Sequence, residues 1–177
     1  MEFRKTSIEG LIEIKPRIFK DPRGYFFESY QYELFKQNGI AEVFVQDNQS
    51  YSTKGVLRGL HLQKDPFAQG KLVRVIKGKV LDVAVDARPG SPTFGQWDSV
   101  VLDDEQNNMF YVPPGFLHGF VTLEDAIFSY KCTNYYNRES EQGVIWNDSD
   151  LNIDWGIENP LVSEKDMALP RFSEISF

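Results

Sequence analysis

His61 and His118 are the only imidazoles in the chain, and two are few enough that each must be accounted for. A histidine can take up and return a proton near neutral pH, which makes it the natural candidate for a general base. His61 lies in Val56-Leu57-Arg58-Gly59-Leu60-His61-Leu62-Gln63. If this segment is a strand, alternation places Arg58 on one face and His61 on the other. A bulge at Gly59 would bring the two together. From this segment alone, a histidine hydrogen-bonded into a barrel wall accounts for His61 better than a catalytic one. His118 follows the rigid turn Pro113-Pro114-Gly115. Turns at barrel mouths often carry ligand contacts, so a functional and a structural role both stand.

Cations come next. Arg58, Lys71 and Arg74 surround the central segment, and Arg23 sits in a tight Pro-Arg-Gly turn. The arginine fork suits phosphate oxygens, whereas a shielded lysine can stabilise an oxyanion. Arg74 and Lys77 read as solvated strand residues. The polar block Gln46-Asp47-Asn48-Gln49-Ser50 either offers amides to sugar hydroxyls or forms an exposed edge. Neither histidine has a partner two residues on, and the single cysteine, Cys132, rules out a disulfide within the chain and a Cys-based zinc site. A bound metal is not expected.

The elements that must position these groups read as strands. The clearest signal is Leu72–Asp86, where two Val-rich runs flank Lys77-Gly78 and suggest a hairpin turning there. On its second arm Leu81, Val83 and Val85 share one face, and Val80, Asp82 and Ala84 the other. Further strands are expected at Gly10–Ile18, Gly24–Tyr30, Val43–Ser52, Val56–Gln63, Trp97–Leu102, Asn108–Val112, Gly119–Leu123 and Ala126–Asn134. Helix is scarce: Tyr32–Gln37, stopped by Asn38-Gly39, and a turn at Ser163–Ala168. The pattern predicts an all-β jelly-roll barrel with a few short peripheral helices, in a single domain over residues 1–177.

The formal charge is -7, which argues against a sequence-independent nucleic-acid surface but leaves room for a small anion in a locally cationic pocket. No apolar segment is long enough to span a membrane and no secretory signal opens the chain, so a soluble cytoplasmic protein is expected.

Taken in order, the motifs resemble the dTDP-4-dehydrorhamnose 3,5-epimerase family along nearly the whole chain. They run Asp21-x-Arg23-Gly24 with Phe26-x-Glu28, Gln46-x-Asn48, and Leu57-Arg58-Gly59-Leu60-His61. Lys71-Leu72-Val73, the Gly78–Asp86 strand and Gly90-Ser91-Pro92-Thr93-Phe94-Gly95 follow. Val112-Pro113-x-Gly115-x-x-His118-Gly119-Phe120, Tyr130-x-Cys132-Thr133-x-Tyr135-Tyr136, Glu141 and Ser163-x-Lys165-Asp166 complete the series. One detail departs from the common pattern: Gln49 stands where a histidine often follows Asp47-Asn48.

The resemblance implies that the jelly-roll β-barrel is cupin-like, and that the activity is epimerisation at the carbons flanking a C4 ketone of a dTDP-sugar, with no redox cofactor or metal required. It assigns His61 as base, Asp166 as its carboxylate partner, Lys71 to the enolate oxygen and Tyr130 as the acid on the far face. Without it, Tyr135 and Tyr136 would compete with Tyr130, and Asp166 would read as a capping-box acid. A nearby cation such as Lys71 would lower the Tyr130 pKa. Arg23 and Arg58 would hold the diphosphate, and Glu28, Gln46, Asn48, His118, Glu141 and Lys165 would contact sugar or nucleotide. Asp82 would support the wall near His61. Family members are dimers that share sites, so Arg23 and Glu28 would serve the neighbouring subunit.

Overall fold

The computed structural model describes residues 1–177. Its strands are β1 (Glu2–Lys5), β2 (Ile12–Lys15), β3 (Phe19–Asp21), β4 (Gly24–Phe26), β5 (Gln46–Ser52), β6 (Val56–Gln63) and β7 (Lys71–Lys77). They continue as β8 (Lys79–Asp86), β9 (Trp97–Asp103), β10 (Met109–Val112), β11 (Phe116–Thr122), β12 (Ala126–Cys132), β13 (Glu141–Gly143) and β14 (Leu161–Val162). The two α-helices, α1 (Tyr32–Gln37) and α2 (Glu164–Met167), are short. One six-stranded sheet has the order β1-β2-β10-β7-β12-β5. The other runs β13-β6-β11-β8-β9, with β14 added parallel to β6. The result is the expected all-β, cupin-like sandwich.

Apolar alternation explains the layering. Val73 and Val75 of β7, Val80 and Ala84 of β8, Phe110 of β10, and Phe120 and Phe128 of β11 and β12 form one buried cluster. Phe120 and Phe128 stack with ring centroids 4.2 Å apart. Burying each such ring contributes roughly 1.5–3 kcal/mol. The opposite face of β8, with Val83 and Val85, is covered by Leu151, Trp155 and other residues of the C-terminal segment. The outer side of the first sheet packs Ile14, Leu72 and Met109 against Phe35 of α1. Strand β8 is therefore buried on both faces, as its near-continuous apolar run requires.

The Leu72–Asp86 hairpin is not formed. Strand β7 pairs with β10 and β12, whereas β8 pairs with β11 and β9 in the other sheet. Only Gly78 separates them, too little chain for a two-residue hairpin loop. It instead makes a corner between sheets at φ +87°, where a Cβ would lie 2.0 Å from the Asp125 carbonyl oxygen. Arg74, expected in solvent, is half-buried with its guanidinium 5.7 Å from the Phe27 ring.

Candidate active site

Strands β6 and β11 place the two histidines directly opposite each other, His118 against His61. The next matched pair is Phe120 with Arg58, so β6 carries one extra residue there. This bulge falls at Gly59, whose φ is +122° and whose Cβ would lie 2.6 Å from the Gly119 Cα. It returns Arg58 and His61 to one side, and both line a cavity of about 570 Å³.

That cavity also takes Lys71 from β7, His118 from β11, Tyr130 from β12, and Lys165 and Asp166 from α2. A smaller adjoining cavity of about 180 Å³ shares His61, Lys71 and Tyr130 and adds Gln46, Asn48 and Glu141. The two spaces thus contain ten of the twelve expected site residues. His61 rises from one sheet, while Lys71 and Tyr130 face it from the other.

The His61 Nε2 lies 2.8 Å from Asp166 Oδ1, and the Gly59 N–H donates to Asp166 Oδ2 at 3.3 Å. Burial pushes the Asp166 carboxyl up, but the His61 bond and charge, the Gly59 N–H and Lys165 outweigh it and hold it below its ordinary value. Ser163 caps α2 by accepting from the Asp166 N–H at 3.1 Å. Half of the capping-box pattern is therefore present, while the Asp166 side chain turns to the histidine.

Lys71 is driven below its usual pKa by burial, against the opposing pull of Cys132, Asp82 and Glu141. Burial, with Cys132 nearby, raises the Tyr130 phenol; Arg58 is the cation that pulls it down. The expectation that a cation leaves Tyr130 more acidic than usual is thus overturned, because desolvation of the phenolate wins. Arg58 is itself held by its Nε donating to Ser52 Oγ at 3.0 Å.

Around the smaller cavity, Glu141 Oε2 accepts from Lys165 Nζ at 2.7 Å and from the Tyr136 hydroxyl at 2.9 Å. Burial raises the Glu141 carboxyl, but those two bonds and the charge of His61 bring it below its ordinary value. Gln46 Nε2 donates to Asn48 Oδ1 at 3.0 Å, so the polar block has one end aimed into the site. His118 is buried, its Nε2 lying 2.9 and 3.0 Å from the two oxygens of Asp82.

Arg23 and Glu28 stand apart. Arg23 donates to Asp21 at 2.6 Å in the β3–β4 ribbon, which pairs only with itself. The ribbon exposes Phe19, Tyr25 and Phe26, the last at 69%. Phe120 and Phe128 in the larger cavity, and Gln63 and Gln69 in the smaller, carry no expected role from the sequence, whereas Ser50 of the polar block does line the larger one. Inward alternation on β11 and β12 was the available signal for the two phenylalanines.

Residues 5–174 match the family model described as dTDP-4-dehydrorhamnose 3,5-epimerase. The chain belongs to this family. As a member of it, the protein is an epimerase, an isomerase. The dTDP-4-dehydrorhamnose 3,5-epimerase of Shigella flexneri is 47% identical, covering 100% of this chain and 99% of its own. The crystal structure of the epimerase from Elizabethkingia anophelis superposes with a TM-score of 0.95 at 49% identity, covering 100% of this chain and 99% of that one. A dTDP-6-deoxy-D-glucose-3,5-epimerase from Legionella pneumophila, solved with dTDP-4-keto-L-rhamnose, gives 0.95 at 48% identity over 99% and 94%.

Proposed function

We propose that this chain inverts C3 and C5 of dTDP-4-dehydro-6-deoxy-D-glucose to give dTDP-4-dehydro-L-rhamnose, a step of dTDP-L-rhamnose biosynthesis. The observation that carries the reading is the placement of base and acid on facing sheets: His61 on β6 and Tyr130 on β12, around one cavity. Epimerisation needs a proton removed from one face of a carbon and another delivered to the opposite face.

The C4 ketone acidifies the hydrogens on C3 and C5. His61 takes one of them; Asp166 on Nε2 leaves Nδ1 for the substrate and favours the imidazolium that forms. Lys71 stabilises the negative charge arriving on the C4 oxygen. Tyr130, kept protonated by its burial, gives its proton to the far face. His61 then gives up its proton to water and Tyr130 regains one from water. The same cycle at the second carbon completes the reaction, with no step assigned to a metal or redox cofactor.

Arg58, with Gln46, Asn48, His118, Glu141 and Lys165, would hold the diphosphate, sugar and nucleotide. The exposed β3–β4 ribbon supports a homodimer in which Arg23 and Glu28 reach the partner subunit's site. No helix is long and apolar enough to cross a membrane. A nucleotide-sugar substrate supports a cytoplasmic location, and the two facing sheets support one domain over residues 1–177.

Proton NMR of the substrate with the protein in deuterated water, without added metal, tests the reading. Deuterium should enter at C3 and C5. Label at one carbon only would make the protein a single-centre epimerase, and label at neither would sink the proposal. Tyr130→Phe should slow product formation more than exchange.

A further inference from the structure

Arg58 lines the main cavity as a cation without an acidic partner. None of the close charge pairs in the molecule includes it. Arg23 and Arg88, by contrast, are paired with Asp21 and Asp86. Neutral oxygens hold Arg58 instead. Its Nε donates to Ser52 Oγ at 3.0 Å, and its Nη2 makes a longer bond to the Tyr51 carbonyl at 3.5 Å. Nη1 and the second hydrogen of Nη2 are left for a ligand.

Ser52 ends β5, at the edge of the first sheet, whereas Arg58 belongs to β6 of the other. The bond between them therefore joins the two sheets. Ser52 is buried, and its backbone is paired with Ala126 of β12. It shares a strand face with Gln46, Asn48 and Ser50, which line the two cavities. The turn that follows is pinned from outside. Thr122 Oγ1 of β11 donates to the Thr53 carbonyl at 2.6 Å, and the Lys54 N–H donates to Asp125 Oδ1 at 2.9 Å. The Tyr51 hydroxyl donates to Asp125 Oδ2 at 3.1 Å. The Ser52 hydroxyl is thus a fixed point.

We propose that Ser52 is a positioning residue for diphosphate binding: its buried hydroxyl holds the Arg58 Nε–H, so that the remaining guanidinium N–H groups meet the cavity with their charge intact. The inference rests on the reading of Arg58 at the diphosphate and adds what aims it. A long side chain that is free to turn must be immobilised when the ligand binds, and that ordering weakens affinity. A carboxylate partner would hold the guanidinium as firmly but would offset the charge that phosphate oxygens require. A hydroxyl gives direction without neutralising.

Ser52→Ala removes the acceptor and frees the guanidinium. KM for the dTDP-sugar and Kd for dTDP, read by calorimetry, should each rise about 3- to 10-fold, while kcat changes less than about twofold. Ser52→Thr keeps the hydroxyl and should recover most of that loss. The same Ser52→Ala change made in Arg58→Met should weaken dTDP less than about twofold further, because no guanidinium remains to be aimed. An equal loss in both backgrounds overturns the proposal, since a hydroxyl that merely supports β5 acts whether or not Arg58 is present. A fall in kcat with KM unchanged overturns it as well.

Arg58→Met alone tests the underlying reading. A dTDP Kd that this variant leaves unmoved removes Arg58 from the diphosphate. A Kd that rises in Arg58→Met but not in Ser52→Ala removes Ser52 only. Where Ser52→Ala does not fold, the wild-type protein decides. The Arg58 Nε–H signal is identified in a proton–nitrogen NMR spectrum by its loss in Arg58→Lys. Slowed solvent exchange of that hydrogen before dTDP is added supports the assignment; exchange as fast as in an unstructured peptide overturns it.

Discussion

Two histidine–aspartate pairs stand side by side on β6 and β11, and they differ in how they meet solvent. The His61 side chain is 27% exposed and Asp166 6%, whereas His118 and Asp82 are at 8% and 0%. His61 meets one carboxylate oxygen, and the second oxygen of Asp166 holds the backbone of Gly59. His118 meets both oxygens of Asp82. The first pair has an imidazole at an open cavity and a carboxylate tied to the backbone, an arrangement for moving protons. The second is sunk in the interior and suited to holding a ring still. Burial and the partner of the second carboxylate oxygen together set two similar residue pairs apart.

The sharpest break in this comparison is His61→Ala. Exchange at C3 and C5 should fall by about 10³-fold, within the usual range for a lost general base, while dTDP binding measured by calorimetry stays within a few-fold. Equal loss of both would mean that the residue binds and does not abstract.

Asp166→Asn should follow, lowering kcat by about 10²-fold with KM little changed, since the ring keeps its place and loses its counter-charge. It should also alter acid stability. The Asp166 carboxyl is held below its ordinary value in the folded state, so its stabilisation is present above the unfolded pKa of about 3.9 and lost as pH falls through the folded one. Acid unfolding followed by circular dichroism should be less steep in the variant.

Gly59→Ala acts on the wall that sets the histidines abreast. Its Cβ would meet Gly119 Cα at 2.6 Å and the His118 carbonyl oxygen at 2.9 Å. Denaturant unfolding should show a loss of about 2–4 kcal/mol. Ser163→Ala removes the α2 cap and should cost about 1 kcal/mol, with activity reduced only through looser placement of Asp166. An unchanged melting curve would show that the Asp166 side chain alone holds the turn.

Much of this was legible in the chain. Strand β6 and helix α1 lie where periodicity puts them, and the bulge at Gly59 follows from having Arg58 and His61 on one surface. The hairpin reading failed for a specific reason: two Val-rich runs around Gly78 look alike whether they pair with each other or with strands from elsewhere, and only the wider topology decides. Strands β3, β13 and β14 are too short to leave a period. Only the family resemblance named the partner of His61, because Ser163-x-x-Asp166 by itself is a local helix signal, and the Asp166 side chain meets His61 across 105 residues of chain. Tyr130 was correctly placed on a strand, but its electrostatic setting was not, since burial depends on what covers it.

That separation has a temporal side. At roughly 5–20 residues per second, a ribosome that has made His61 needs about 5–20 s more to deliver Asp166. A chain interrupted in between carries the proposed base with its ring free of the carboxylate that meets it in the full-length protein. Turnover would therefore report chiefly on chains translated at least through residue 166, since unfinished copies lack the carboxylate that His61 meets.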